Sequence, residues 1–161
     1  MTFIMKRKSA LLLVVVAVAL TSLLIYATPL RYQVPPPPMH EVDAKDIYTA
    51  MQKNPNDYLF IDVRDVSVYD AAHAVGAINI PIASLVTEHY LLPKTGKQIV
   101  LICTTGQLAT VAYGYLQMWG FTNLLHITGG FSTWAIEGLP MEGTNVVNGV
   151  DTAPMVPDGQ N

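Results

Sequence analysis

A single cysteine, Cys103, is the residue of this chain best suited to nucleophilic chemistry. The four residues before it, 99–102, are apolar and mostly β-branched, which predicts a buried strand. Residues 108–119 then repeat apolar side chains at helical spacing. Cys103 is therefore predicted at a strand-to-helix turn, where loop amides and the helix dipole favour the reactive thiolate.

The residues that follow the cysteine could bind an anion through their backbone amides. They are Thr104, Thr105, Gly106, Gln107, Leu108 and Ala109. None of them is charged, and the two threonine hydroxyls could add further donors. The alternative interpretation makes Cys103 a small buried hydrophobic residue, as most unpaired cysteines are.

Composition limits both the size of the fold and its partners. With 161 residues, of which 51% are hydrophobic, the chain can bury one ordinary core and carry short appendages. The net charge of -3, without a Lys/Arg cluster in the globular part, disfavours nucleic acid as a partner. One cysteine excludes an intramolecular disulfide, and four scattered histidines do not predict a metal site. No cofactor is expected.

The N-terminal segment predicts a membrane anchor. Residues 10–27 contain no charge, glycine or proline, and Lys6, Arg7 and Lys8 precede them. A helix of this length spans about 27 Å, and the preceding cations place residues 1–9 in the cytoplasm. The prediction is a single-pass protein of a bacterial inner membrane, in contact with lipid, with its globular domain in the periplasm. A cleaved signal peptide is the alternative, but the apolar run continues well beyond the small residues 17–19 that resemble a cleavage site.

The remaining chain divides into a linker, a domain and a tail. Residues 28–40 form a proline-rich linker, 41–143 a globular domain, and 144–161 a tail without periodicity that we predict to be irregular. Strand patterns alternate with helix patterns in the domain, which predicts an α/β fold with a parallel sheet and helices on both faces. Ligands of such sheets bind beyond the carboxyl ends of the strands, where Cys103 is predicted.

Three blocks of sequence resemble the rhodanese-like (sulfurtransferase) domain, in the right order and over about residues 41–143. The first contains Asp62, Val63 and Arg64 and continues in the run His-Ala-Val-Gly-Ala-Ile-Asn-Ile-Pro at 73–81. The second is the cysteine loop, 103–109, which is similar in length to the family's active-site loop. The third, 128–140, carries the Gly-Gly pair, the tryptophan and the closing Gly-x-Pro pattern.

The resemblance implies a chemistry for the cysteine. Cys103 would attack a sulfane sulfur, hold it as a persulfide and pass it to a nucleophilic acceptor, with donor and acceptor unspecified. Members that use thiosulfate usually carry arginine where this loop has Thr104 and Leu108, so efficient use of thiosulfate is not expected. Asp62 and Arg64 would support the loop as an ion pair rather than react.

Two other functions are alternatives to sulfur transfer. A cysteine phosphatase would need an arginine closing the loop, where this chain has Ala109, so that chemistry is disfavoured. The second hypothesis is a non-catalytic accessory subunit that uses the rhodanese fold to dock on a larger membrane complex. The tether, the loop without cations and the irregular tail favour it. His73 and His126 are interpreted as structural residues, because neither stands at a diagnostic spacing from a carboxylate or the cysteine.

Overall fold

The computed structural model describes residues 2–27, 37–147 and 150–151, and the chain divides into two compact units, 1–37 and 38–161. The described part of the first unit consists of helix α1, Thr2–Ala27, and residue 37. Among the described residues, no helix combines the length and the apolar character needed to cross a membrane. The predicted transmembrane helix over 10–27 is therefore not supported, and most of the predicted linker, 28–36, lies outside the described residues.

The second unit alternates strands and helices. Its helices are α2 Ala44–Lys53, α3 Val66–Ala71, α4 Ile82–Glu88, α5 Gln107–Met118 and α6 Gly130–Ile136. Its strands are β1 Glu41–Val42, β2 Tyr58–Asp62, β3 His73–Ala74, β4 Ile78–Asn79, β5 Gln98–Ile102, β6 Leu124–Ile127, β7 Met141–Glu142, β8 Val146–Val147 and β9 Val150–Asp151. Short 3₁₀ turns at Pro55–Asp57 and His89–Leu91 complete the regular structure of the described residues.

Five of the strands form one parallel sheet in the order β1-β6-β5-β2-β4. This confirms the predicted α/β fold with a parallel sheet. Two small antiparallel pairs, β3 with β7 and β8 with β9, lie outside it. The second of these pairs falls in the described part of the tail that the sequence predicts to be irregular.

The sheet is covered by helices on both faces. Along β5, Val100 and Ile102 join one buried core cluster, whereas Ile99 and Leu101 join another. Alternate residues of a strand point to opposite faces, so the two clusters are the two layers between sheet and helices. The first cluster receives buried side chains from α2 and α6, and the second from α4 and α5. The sheet thereby places the end of β5 at the centre of the domain.

Candidate active site

The cysteine loop connects the central strand β5 to helix α5. Strand β5 ends at Ile102 and α5 begins at Gln107, so residues 103–106 make the turn. Strands β2 and β6 flank β5 on either side. The loop therefore lies at the carboxyl edge of a parallel sheet, in the middle of the strand order, where such folds bind ligands.

The thiol of Cys103 faces backbone amides of its own loop. Its Sγ accepts hydrogen bonds from the amides of Gly106, at 3.2 Å, and Ala109, at 3.3 Å. The cysteine residue is fully buried. Two amides that converge on one sulfur stabilise negative charge there, whether it is carried by a thiolate or by a persulfide. The loop does this without a charged side chain of its own.

The other predicted loop residues surround this arrangement in different ways. Gln107 is exposed, while Leu108 packs against the core cluster beneath α5. The hydroxyls of Thr104 and Thr105 are buried, and neither finds a hydrogen-bond partner among the described residues. Buried hydroxyls of this kind are donors that a bound anion could use.

Helix α6 supports the loop from below through its first residues. The amide of Phe131 donates to the carbonyl oxygen of Cys103 at 2.7 Å, and the amide of Ser132 donates to that of Thr104 at 2.9 Å. This approach is possible because Gly130 has no Cβ: an added Cβ would overlap the Cys103 carbonyl oxygen and come within 2.8 Å of the Gly106 nitrogen. Gly130 also has a φ of +59°, which side-chain-bearing residues rarely adopt.

Asp62 and Arg64 form a buried ion pair at the end of β2. Arg64 Nη2 lies 2.6 Å from Asp62 Oδ2, and Nε lies 3.0 Å from both carboxylate oxygens. The same Nη2 donates to the carbonyl of Ala72 at 2.8 Å, and the guanidinium lies 4.5 Å from the ring centroid of Phe131. The pair thus ties the loop after β2 to helix α6 and, through Phe131, to the backbone of Cys103.

Sequence reasoning did not place His126 at this site. The ring of His126 lies against the loop, with Nε2 2.9 Å from the carbonyl oxygen of Gly106. His73 lies elsewhere, with Nδ1 2.7 Å from the carbonyl oxygen of Tyr69 and Nε2 3.3 Å from Glu142. The available signal was a polar side chain within an otherwise apolar buried strand, because such a side chain needs a buried partner. Spacing along the chain could not show that this partner is the cysteine loop.

The described residues contain no candidate metal centre. No three or more histidine, cysteine, aspartate or glutamate side chains come together there in a group that could hold a metal ion.

The fold and the loop together define a class: an α/β protein with a cysteine-containing loop at the carboxyl end of its central strand. Within that class the family is also clear. A family model of the Rhodanese-like domain matches residues 43–137, which is more than half of the chain, and the chain belongs to this family.

Similar proteins cover the domain at modest identity. A sulfurtransferase of Allochromatium vinosum is 24% identical over 103 residues, which are 64% of this chain and 94% of that protein. A probable molybdopterin-synthase adenylyltransferase of Porphyra purpurea is 26% identical over 98 residues, which are 60% of this chain but only 25% of that protein. The chain thus spans about a quarter of that larger relative.

Solved structures agree on the fold. The Rhodanese-like domain of an Anabaena protein is 26% identical, with a TM-score of 0.60, over 73% of this chain and 91% of that one. A rhodanese-related protein of Thermoplasma volcanium is 28% identical, with a TM-score of 0.56, over 64% of this chain and 97% of that one. Both matches leave part of this chain without a counterpart.

Proposed function

We propose that this protein is a sulfurtransferase in which Cys103 carries the transferred sulfur as a persulfide. The observation that carries the proposal is the pair of amides, from Gly106 and Ala109, that donate to Sγ. Family membership and the Allochromatium relative named a sulfurtransferase point to the same chemistry.

The reaction proceeds in two displacement steps. The Cys103 thiolate attacks the outer sulfur of a donor R–S–SH, a new S–S bond forms, the donor S–S bond breaks, and R–S⁻ leaves. A nucleophilic acceptor then attacks the outer sulfur of the persulfide, and the Cys103 thiolate is released. No external oxidant or reductant is needed, because each step exchanges one bond to sulfur for another. The loop amides stabilise the anionic sulfur before and after each step.

Substitution of the nucleophile tests the proposal directly. Wild-type protein incubated with an organic persulfide is expected to gain the mass of one sulfur atom on Cys103, and Cys103→Ser is expected to gain none. Intact-protein and peptide mass spectrometry measure both. Because the serine variant changes one atom in a buried site, its melting temperature serves as the folding control. Wild-type protein that gains no sulfur from any sulfane donor would contradict the proposal.

The loop favours donors of low charge. Leu108 is apolar, and the guanidinium of Arg64 is already engaged by Asp62 and Ala72. Among the described residues of the loop, the dianion thiosulfate therefore finds no cationic partner, and we expect it to load Cys103 more slowly than an organic persulfide does. Leu108→Arg is expected to raise the rate with thiosulfate by about tenfold, through a charge-assisted hydrogen bond. Leu108→Gln is the uncharged control, and an equal gain in both variants would contradict the electrostatic reason.

The location that we propose is the periplasmic face of a bacterial inner membrane, to which α1 attaches the domain. Large apolar side chains of α1 are exposed, among them Leu11, Leu13 and Leu23, and residues 6–8 are cationic. Alkaline extraction of membranes from cells that express the full chain tests attachment, and protease digestion of spheroplasts tests the side. Recovery of the full-length protein in the soluble fraction would contradict attachment.

The alternative function is that of a non-catalytic subunit docked on a larger membrane complex. Two observations favour it. Cys103 is fully buried. The C-terminal end of α5 and the 3₁₀ turn His89–Leu91, which meet where His89 stacks on Trp119, expose Tyr90, Leu91, Met118 and Trp119. Exposed apolar clusters of this kind mark protein contacts. Size measurement after mild detergent extraction separates the two functions, since the subunit function predicts a large complex that Cys103→Ser leaves intact. A monomer at native concentration would count against it.

A further inference from the structure

His126 occupies a position in the sheet where an apolar side chain would pack more simply. It lies on β6, paired with Glu41 of β1 and Leu101 of β5, and only 5% of it is exposed. The Gly106 carbonyl can only accept a hydrogen bond, so the contact at 2.9 Å places the ring proton on Nε2. Nδ1 is then an acceptor, and it is buried without a partner among the described residues.

The unpartnered Nδ1 of His126 carries a stability cost that an apolar side chain would not. A buried polar atom without a partner is unfavourable, and a leucine at this position would leave no such atom. Packing alone therefore does not explain the histidine. The hydrogen bond that it makes is to the cysteine loop, which suggests that its role is there.

The Gly106 carbonyl is held by three donors. Besides His126 Nε2, it accepts from the amide of Thr110 at 2.9 Å and from the hydroxyl of Thr110 at 3.0 Å. In a trans peptide, the carbonyl and the following N–H point in opposite directions. Fixing the Gly106 carbonyl thus also fixes the N–H of Gln107, the first residue of α5, on the opposite side of that peptide.

Gly106 needs such restraint because its backbone is otherwise permissive. Its φ is +99°, and glycine reaches many conformations at little cost. Its own amide is one of the two donors to the Cys103 sulfur. A rotation of the Gly106 backbone would remove this donor. The ring of His126 packs directly against Gly106, because a Cβ added to the glycine would lie 3.3 Å from the ring.

We propose that His126 is a positioning residue for sulfur transfer: its Nε2–H, together with Thr110, holds the Gly106 carbonyl and so restrains the backbone of Gly106, whose own amide donates to the Cys103 sulfur. The role of His126 in turnover rests on the proposed function. Its effect on the ionisation of the Cys103 thiol can be measured without turnover.

Two substitutions of His126 separate positioning from stability. His126→Leu removes the donor and the unpartnered Nδ1, whereas His126→Gln keeps an N–H near the position of Nε2. With His126→Leu, we expect the ultraviolet absorbance of the thiolate to appear at higher pH and sulfur loading from an organic persulfide to slow by about three- to tenfold, the value of one hydrogen bond. The melting temperature is expected to stay equal or rise. His126→Gln is expected to restore most of both properties.

Several outcomes would overturn the inference. One is an unchanged thiolate titration and loading rate in His126→Leu, and another is a glutamine variant as slow as the leucine variant. If His126→Leu does not fold, Thr110→Val removes a second donor to the same carbonyl and is expected to shift the titration in the same direction, so an unshifted titration there would also overturn it. If the wild type accepts no sulfur, the proposed function fails, and the titration still decides the role of His126.

Discussion

Gly130→Ala is expected to lower the free energy of unfolding by about 2–5 kcal/mol and to slow sulfur loading of Cys103. Two separate costs add up to this value. A residue with a side chain pays about 1–2 kcal/mol to keep the left-handed φ of +59°. The added methyl also overlaps the Cys103 carbonyl oxygen, and overpacking of this kind costs about 1–3 kcal/mol.

The same steric overlap is the reason we expect Gly130→Ala to slow sulfur loading of Cys103. The atoms that the methyl would meet belong to Cys103, Thr104 and Gly106, so relief of the overlap moves the loop itself. The Gly106 amide would then lose its alignment with the sulfur. Urea denaturation and the rate of persulfide formation measure the two effects.

Gly138→Ala is the matched control for this substitution. Gly138 has a similar φ of +67°, but an added Cβ there meets no atom within 4 Å. This variant should pay only the conformational cost of about 1–2 kcal/mol and load sulfur at the wild-type rate. Equal loss of stability and activity in both variants would contradict the role assigned to the close approach beneath the loop.

Local patterns were enough to predict the frame of this domain. The apolar run before Cys103 and the helical spacing after it predicted a strand followed by a helix, and the structure has β5 ending at Ile102 and α5 beginning at Gln107. Asp43 stands directly before α2, and its carboxylate accepts from the amide of Lys45 at 2.9 Å, which is the local capping pattern of an Asp at a helix start. These features are encoded within a few residues of chain, so sequence alone reveals them.

Local sequence patterns could not predict the contacts between segments that are distant along the chain. His126 is 20 residues from Gly106, and its hydrogen bond depends on the pairing of β5 with β6. The packing of Gly130 against the Cys103 carbonyl likewise depends on where α6 begins in space. The Gly-Gly pair was visible in the sequence as a family signature, but its physical reason, a backbone approach too close for a Cβ, required coordinates.

Breaking the buried ion pair of Asp62 and Arg64 is expected to have a large effect on stability. Asp62 is fully buried and Arg64 is only 3% exposed, so neither charge is compensated by water. Arg64→Met is expected to lower the free energy of unfolding by about 3–5 kcal/mol, because it leaves the carboxylate buried without its counter-ion. Equilibrium denaturation in urea measures the loss, with the slope checked for two-state behaviour.

The double variant Asp62→Asn with Arg64→Met isolates the cause. Removing both charges leaves no buried ion, while asparagine can still accept the hydrogen bond that Asp62 Oδ1 receives from the residue 64 amide. We expect the double variant to be more stable than Arg64→Met, because a buried unpaired charge costs more than a lost pair. A double variant that is no more stable would show that the lost contacts to Ala72 and Phe131 dominate instead.

The same variants decide whether Arg64 takes part in the chemistry. All the contacts of its guanidinium given above are structural, since Asp62, the Ala72 carbonyl and the Phe131 ring surround it. Under conditions where Arg64→Met is folded, it is therefore expected to load sulfur from an organic persulfide, at a rate reduced only by the loosened support of Phe131 beneath Cys103. A folded Arg64→Met protein that forms no persulfide would instead assign the guanidinium a direct part in binding or transferring the sulfur.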